Sequence, residues 1–114
     1  MNGDKLIKKY LPLTESTYYI LLSLVEPRHG YAIMQYVDSL SKGKITLGPG
    51  TLYGALSKLQ KEELIEMTLA DDRKKCYVLT DVGKKLLFME IRRLAELVEH
   101  GMDVLDRLGD GENE

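Results

Sequence analysis

A change of hydrophobic period in the middle of the chain constrains its fold more than any other feature. Leu52, Ala55, Leu56 and Leu59 recur at the i, i+3, i+4, i+7 spacing that lines one face of an α-helix with apolar side chains. A few residues later the period falls to two. Ile65, Met67 and Leu69 alternate with Glu66, Thr68 and Ala70, which predicts a half-buried strand. Cys76-Tyr77-Val78-Leu79 predicts a second strand, and the polar run Asp71-Asp72-Arg73-Lys74 between them predicts a charged hairpin tip. The segment therefore reads as a helix followed by a basic-tipped β-hairpin.

The side of that helix turned away from the apolar stripe carries Gly50, Thr51, Gly54, Ser57, Lys58 and Lys61, with Tyr53 at the border. Small residues at its start and basic ones toward its end suit a face that lies flush against another surface. Pro49 fits the first helical turn, where its missing N–H is not needed, and the flanking Gly48 and Gly50 leave free backbone amides suited to an anion such as phosphate.

Upstream, Lys5-Leu6-Ile7-Lys8-Lys9-Tyr10 forms a basic leader, an arm or a short helix, which Pro12 interrupts. Thr14 caps a first helix with Glu15 in its first turn and Tyr18, Leu21, Leu22 and Val25 as its stripe, ended by Pro27. A tight turn at Arg28-His29-Gly30 precedes a second helix from Tyr31 to Leu40, with Ile33, Met34, Val37 and Leu40 facing inward and Lys42-Gly43 as its stop. Three short helices and then a hairpin is the order of a helix-turn-helix followed by a wing.

After the hairpin, Thr80 caps a long helix in which Leu87, Ile91, Leu94, Val98, Gly101, Leu105 and Leu108 step by four and three residues in turn. Folding back on its own domain accounts for the first turns of this seam. Residues 94–108 call for a partner, and a second copy is the simplest one. The expected organisation is thus a winged helix-turn-helix region over 1–80, a dimerisation helix over 81–108 and a disordered tail over 109–114.

The charge is unevenly placed. The net charge is −2, but residues 1–80 hold eleven Lys or Arg against nine Asp or Glu, whereas residues 81–114 hold five against nine. The excess cations cluster at Lys5/Lys8/Lys9, Lys42/Lys44, Lys58/Lys61 and Arg73/Lys74/Lys75, so one side can attract a polyanion despite an acidic whole. With one cysteine, no apolar run near the ~20 residues of a membrane helix and no signal-peptide pattern after Met1, a cytoplasmic protein with no internal disulfide is expected. His29, His100 and Cys76 lack metal-ligand spacing, so no metal or cofactor is expected. Cys76 reads as a buried thiol and His29 as part of a turn. The chain shows no phosphate loop and no nucleophile-base pattern, and its charges read as solvated helical faces, which argues against an enzyme.

Leu13-Thr14-Glu15, Ile20-Leu21-Leu22-Ser23-Leu24, His29-Gly30-Tyr31-Ala32-Ile33, Gly50-Thr51-Leu52-Tyr53, Leu56, Leu59, Leu64-Ile65, Tyr77 and Leu79-Thr80-Asp81-Val82-Gly83 together resemble the PadR family of transcriptional regulators over about residues 11–86. The resemblance implies a mainly helical α+β winged helix-turn-helix protein that binds double-stranded operator DNA as a homodimer, usually as a repressor. It further implies that the third helix enters the major groove and the wing approaches the backbone or minor groove. The expected DNA-binding residues are then Tyr31, Gly50, Thr51, Tyr53, Gly54, Ser57, Lys58, Lys61, Arg73, Lys74 and Lys75. Many members respond to small aromatic or hydrophobic compounds, for which Tyr10, Tyr18, Tyr19, Phe88 and Met89 are candidate lining residues. Two positions depart from the family's habit: Gly54 stands where Pro is common, and Glu63 where Gly is common before the wing. The fold alone does not guarantee DNA binding, so a winged helix that uses the same face on another protein is the alternative.

Overall fold

The structure, a computed structural model, describes residues 2–69 and 74–109. Five helices and a small sheet follow in the order α1 (Asn2–Tyr10), α2 (Glu15–Ser23), β1 (Arg28–His29), α3 (Gly30–Leu40), α4 (Pro49–Lys61), β2 (Ile65–Leu69), β3 (Lys75–Leu79) and α5 (Asp81–Leu108). This is the expected mainly helical winged helix-turn-helix, with a long final helix. The leader forms a helix, α1, whose Ile7 is buried in the common core.

Capping residues set the helix starts. The Thr14 hydroxyl accepts the Thr17 amide at 3.2 Å, and the His29 Nδ1 accepts the Ala32 amide at 3.3 Å, each satisfying a backbone N–H that the first turn of a helix leaves without a partner. At the other end of α3, Lys42 and Gly43 both take positive φ, 55° and 79°, which stops the helix where expected. Pro49 occupies the first turn of α4 behind Gly48, and Leu52, Leu56 and Leu59 are buried beneath it.

Four local readings are corrected. Arg28-His29 is not only a turn but a third strand: it pairs antiparallel with β3, Arg28 opposite Tyr77 and His29 opposite Cys76, and gives the strand order β1-β3-β2. A two-residue strand carries no period, so only the tertiary pairing reveals it. Val25 is exposed because α2 stops at Ser23 and the chain leaves helical phase; Ile20 and Leu24 take its place in the core. Leu40 is likewise exposed, at the end of its helix. In β2 only Ile65 is buried, while Met67 and Leu69 remain 46% and 67% exposed, since the strand runs out past the core. Asp71, Asp72 and Arg73, expected at the hairpin tip, lie outside the described residues, as do residues 110–114 of the expected tail.

The wing is attached to the helices by one compact junction. Glu62 caps α4, and Glu63 follows in the left-handed region with φ 62°. Its amide bonds to the Gln60 carbonyl and the Leu64 amide to the Leu59 carbonyl, both at 2.9 Å, the pairing of a Schellman motif with glutamate in the place that glycine favours. The helix therefore does not run on; Glu63 bears the strained backbone. The Leu64 carbonyl then accepts the Thr80 amide at 3.1 Å, and the Thr80 hydroxyl donates to the Glu63 carbonyl at 2.8 Å while accepting the Gly83 amide at 3.1 Å. α5 packs so closely here that a Cβ on Gly83 would lie 2.0 Å from the Leu64 oxygen.

Not every charge lies on a solvated face. Glu90 is 1% exposed, on the inner side of α5 beside buried Leu86 and Leu87. Its Oε2 accepts the Leu13 amide at 2.9 Å, and the Arg93 guanidinium grips both oxygens, Nε to Oε1 at 2.6 Å and Nη2 to Oε2 at 3.0 Å. The Arg93 hydrogen bonds, helped by the Leu13 amide, hold the Glu90 carboxyl below the usual range against the opposing effect of burial.

Two outcomes follow. Glu63→Gly relieves the left-handed strain and should raise unfolding free energy by up to about 1 kcal/mol in urea denaturation. Because the folded state lowers the Glu90 pKa, that group's contribution is complete above the ordinary glutamate value of 4.5 and disappears as pH falls below it. The stability gap between the native protein and Glu90→Gln should accordingly be constant near neutrality and close in acid, as read by denaturation across pH.

Candidate nucleic-acid interface

The free face of α4 is set by its buried one. With Leu52, Leu56 and Leu59 fixed inward, Gly50, Thr51, Gly54, Ser57, Lys58 and Lys61 all emerge exposed on the outside. A Cβ at Gly50 or Gly54 would meet nothing within 4 Å, so no contact inside the chain requires glycine at either place. What the two glycines do is lower the helix surface, letting another body approach the backbone closely. The amides of the first turn have no side-chain cap at Gly48.

Tyr53 has a second role. Its side chain is 49% exposed, yet the ring is pressed across Gly30, where an added Cβ would lie 2.1 Å from the Tyr53 hydroxyl oxygen and 2.7 Å from its Cζ. Gly30 opens α3, and the exposed Tyr31 follows it. The His-Gly-Tyr turn and the Gly-Thr-Leu-Tyr helix start are thus one piece of packing, and the exposed Tyr31 directly follows the contact point in sequence. Gly30 was legible in the sequence only as a turn residue; the contact that makes it necessary spans two elements.

On the other flank, the Lys58 ammonium lies 5.8 Å from the Tyr10 ring centroid and Lys9 approaches Glu62 at 3.7 Å, so α1 braces the C-terminal half of α4. Tyr10 was not among the expected interface residues, and an aromatic residue at a helix end gives no such signal. Lys74 and Lys75 are exposed at the start of β3, toward the hairpin tip and on the wing rather than on α4. Arg73, expected with them, lies outside the described residues.

On α5 the expected seam divides. Leu87 is buried in the chain's own core, because the first turns of α5 lie on the domain, and Leu94 is half-buried. Ile91, Val98, Leu105 and Leu108 are exposed, as are Leu97, Met102 and Val104; Val98 is 63% exposed. A Cβ on Gly101 would meet nothing within 4 Å. Twenty-eight residues at about 1.5 Å each carry the helix well past the core.

Of the residues expected to line an effector pocket, Phe88 and Met89 border an open concavity of about 680 Å³ with Leu11, Arg92, Arg93 and Ala95. Tyr10 borders a separate hollow near Lys58, and Tyr18 and Tyr19 pack edge to face at 5.8 Å. Cys76 is buried, and no cluster of His, Cys, Asp or Glu among the described residues is arranged to hold a metal ion. No helix among them is long and apolar enough to cross a membrane.

Residues 20–88 match the family described as the transcriptional regulator PadR-like family. Transcriptional regulator YqjI of Escherichia coli K12 is 34% identical over 71 residues, covering 62% of this chain and 34% of that protein. An uncharacterized 37.1 kDa protein of transposon Tn4556 from Streptomyces fradiae is 37% identical over 79 residues, covering 68% and 22% respectively. The chain spans about a fifth to a third of the length of these curated relatives. Among solved structures, a PadR-like transcription factor from Bacteroides fragilis superposes with a TM-score of 0.65 at 25% identity, over 91% of this chain and 99% of that one. A PadR-like transcriptional regulator from Bacillus cereus gives 0.66 at 22%, over 89% and 96%.

The contact between Gly30 and Tyr53 is testable by a double-mutant cycle. Gly30→Ala must push the Tyr53 ring aside and should lower stability by about 1 kcal/mol, a penalty that vanishes in a Tyr53→Ala background. Equal penalties in both backgrounds, measured by thermal unfolding, would remove the contact from the account.

Proposed function

The chain belongs to the transcriptional regulator PadR-like family, and from that premise we propose that it is a sequence-specific DNA-binding regulator acting as a homodimer on a two-fold operator. The observation that carries the reading is the α4 face, where two glycines that no internal packing requires stand among Thr51, Tyr53, Ser57, Lys58 and Lys61. Such a surface fits the major groove closely and offers donors to base edges and phosphates. Thr51 and Tyr53 are placed for base or sugar contact, Lys58 and Lys61 for phosphate, and Tyr31 joins them from α3. Lys74 and Lys75 on the wing, with Arg73 next to them in sequence, act on the backbone, positioning the protein without reading sequence.

The second copy is supported by the exposed half of the α5 seam. Ile91, Val98, Leu105 and Leu108 form an apolar stripe that no part of the described chain covers, with Leu97 and Val104 widening it. Burying it against a partner's α5 offsets its exposure to water and sets two α4 helices at a fixed separation, as two-fold operators demand. Occupation of the operator represses transcription. The concavity beside Phe88 and Met89 receives a small hydrophobic ligand that relieves the repression by altering how α5 meets the domain.

Selection of bound duplexes from random DNA should return a palindromic site. Gly54→Leu should abolish that binding and leave the fold intact, because leucine favours the helix by up to about 0.8 kcal/mol and points away from the core. Full affinity in that variant would move the protein-binding alternative ahead. Val98→Asp places an uncompensated charge in the dimer contact and should weaken it by several kcal/mol, seen as monomer in sedimentation and as lost operator affinity. An unchanged dimer would take the stripe out of the interface.

A further inference from the structure

The sheet ends in an open edge, and hydrogen bonds elsewhere in the sheet show which of its residues are available there. β2 pairs only with β3 among the described residues, Ile65 opposite Leu79, Met67 opposite Tyr77 and Leu69 opposite Lys75. In an antiparallel ladder successive residues turn their N–H and C=O alternately toward and away from the neighbour. The Thr80 amide bonds to the Leu64 carbonyl at 3.1 Å, whereas the Leu79 amide turns the other way, to the Leu24 carbonyl at 2.9 Å. Positions 64, 66 and 68 therefore face β3, and Ile65, Met67 and Leu69 direct their backbone groups out of the sheet.

The same stretch exposes apolar side chains. Met67 and Leu69 lie on the face that Ile65 carries into the core, yet both stay largely in solvent. Beside them a concavity of about 520 Å³ runs along the strand, bordered by Met67 and Val82 and by the carboxylates of Glu63, Glu66 and Asp81. None of these three acids forms an ion pair among the described residues. β2 carries no proline and pairs with β3 in unbroken register, so its outer edge has no proline and no bulge to close it, and its one charge is Glu66.

We propose that the outer edge of β2 is a docking site for an extended, cationic segment of another protein, which joins the sheet as a fourth strand. Met67 and Leu69 supply the main-chain hydrogen bonds, apolar side chains of the incoming strand pack beside them, and its alternate residues, lysine or arginine, meet Glu66 on the opposite face. Glu63 and Asp81 extend the negative field at the strand's start. Charge complementarity selects this occupant: Glu66 on the strand, with Glu63 and Asp81 beyond its start, favours a cationic partner, whereas pairing two copies about Met67 sets Glu66 opposite Thr68 and diagonal to the second copy's Glu66, adding like charge without a counter-ion. The inference rests on the sheet and its charges, independently of the DNA-binding reading.

The probe is an end-capped octapeptide of alternating lysine and valine, added to the isotopically labelled full chain and followed by amide chemical shifts. Saturable shifts confined to residues 65–69 and 80–82 are expected. An alternating glutamate-valine peptide should give none. N-methylation of alternate peptide amides, or Glu66→Lys in the protein, should weaken binding by about tenfold or more, a loss of about 1.4 kcal/mol. Absent shifts, equal shifts with the acidic peptide, or undiminished binding of the N-methylated peptide would overturn the proposal. So would the same amides shifting on dilution alone, which would assign the edge to a second copy. A chain that fails to bind DNA leaves these outcomes unchanged.

Discussion

The Leu64 carbonyl is the point on which the rest of the structure depends. It lies one residue past the left-handed turn that ends α4, at the first position of the wing, and it accepts the amide of Thr80, the cap of α5. Three elements that must keep fixed angles therefore meet at one backbone oxygen. The near contact with Gly83 makes the arrangement intolerant: a side chain there would have to occupy the place of the carbonyl itself, and backbone cannot swing aside as a flexible side chain can. Leu64 and Leu79, both buried, close the apolar side of the same junction.

A second tie, made of charge, holds α5 further along. Glu90 would be unfavourable inside the protein without partners, and the bidentate Arg93 together with the Leu13 amide satisfies it. The geometry links the middle of α5 to the segment between α1 and α2, so the long helix is fastened at its start and again two and a half turns on. Past Arg93 the described chain offers it no further anchor of this kind. The exposed apolar stripe begins where these ties end, which is why its burial falls to a partner.

Short sequence motifs acquire their meaning from contacts of this sort. His-Gly-Tyr and Gly-Thr-Leu-Tyr lie on different helices, yet the ring of Tyr53 needs the missing side chain of Gly30. Leu-Thr-x-x-Gly combines a cap, Thr80, with a close approach, Gly83. In contrast, Gly50 and Gly54 answer to nothing inside the chain, and that difference separates glycines that build the fold from glycines that leave a surface open.

Periodicity, with residue type for the second strand, determined helices α2 to α5 and the two longer strands, because burying an apolar stripe at period 3.6 or 2 admits few alternatives: Leu52, Leu56 and Leu59 lie where their spacing puts them, and Thr14 and Thr80 cap where hydroxyls precede helical runs. The leader, by contrast, reads equally as an arm or a helix. The outward face of α4 followed from the same spacing, so most of the candidate site was legible. Tertiary structure decided what local pattern cannot encode. The Arg28-His29 strand exists only through its pairing with β3, and Met67 and Leu69 stay exposed because alternation marks a face without saying whether anything covers it. Leu87 falls to the core and Val98 to solvent on a single unbroken heptad pattern, since the domain covers the helix for only its first turns. Glu90 looked like one more surface charge until the fold brought Leu13 to it, seventy-seven residues away in sequence, with a free amide that no periodicity could foresee.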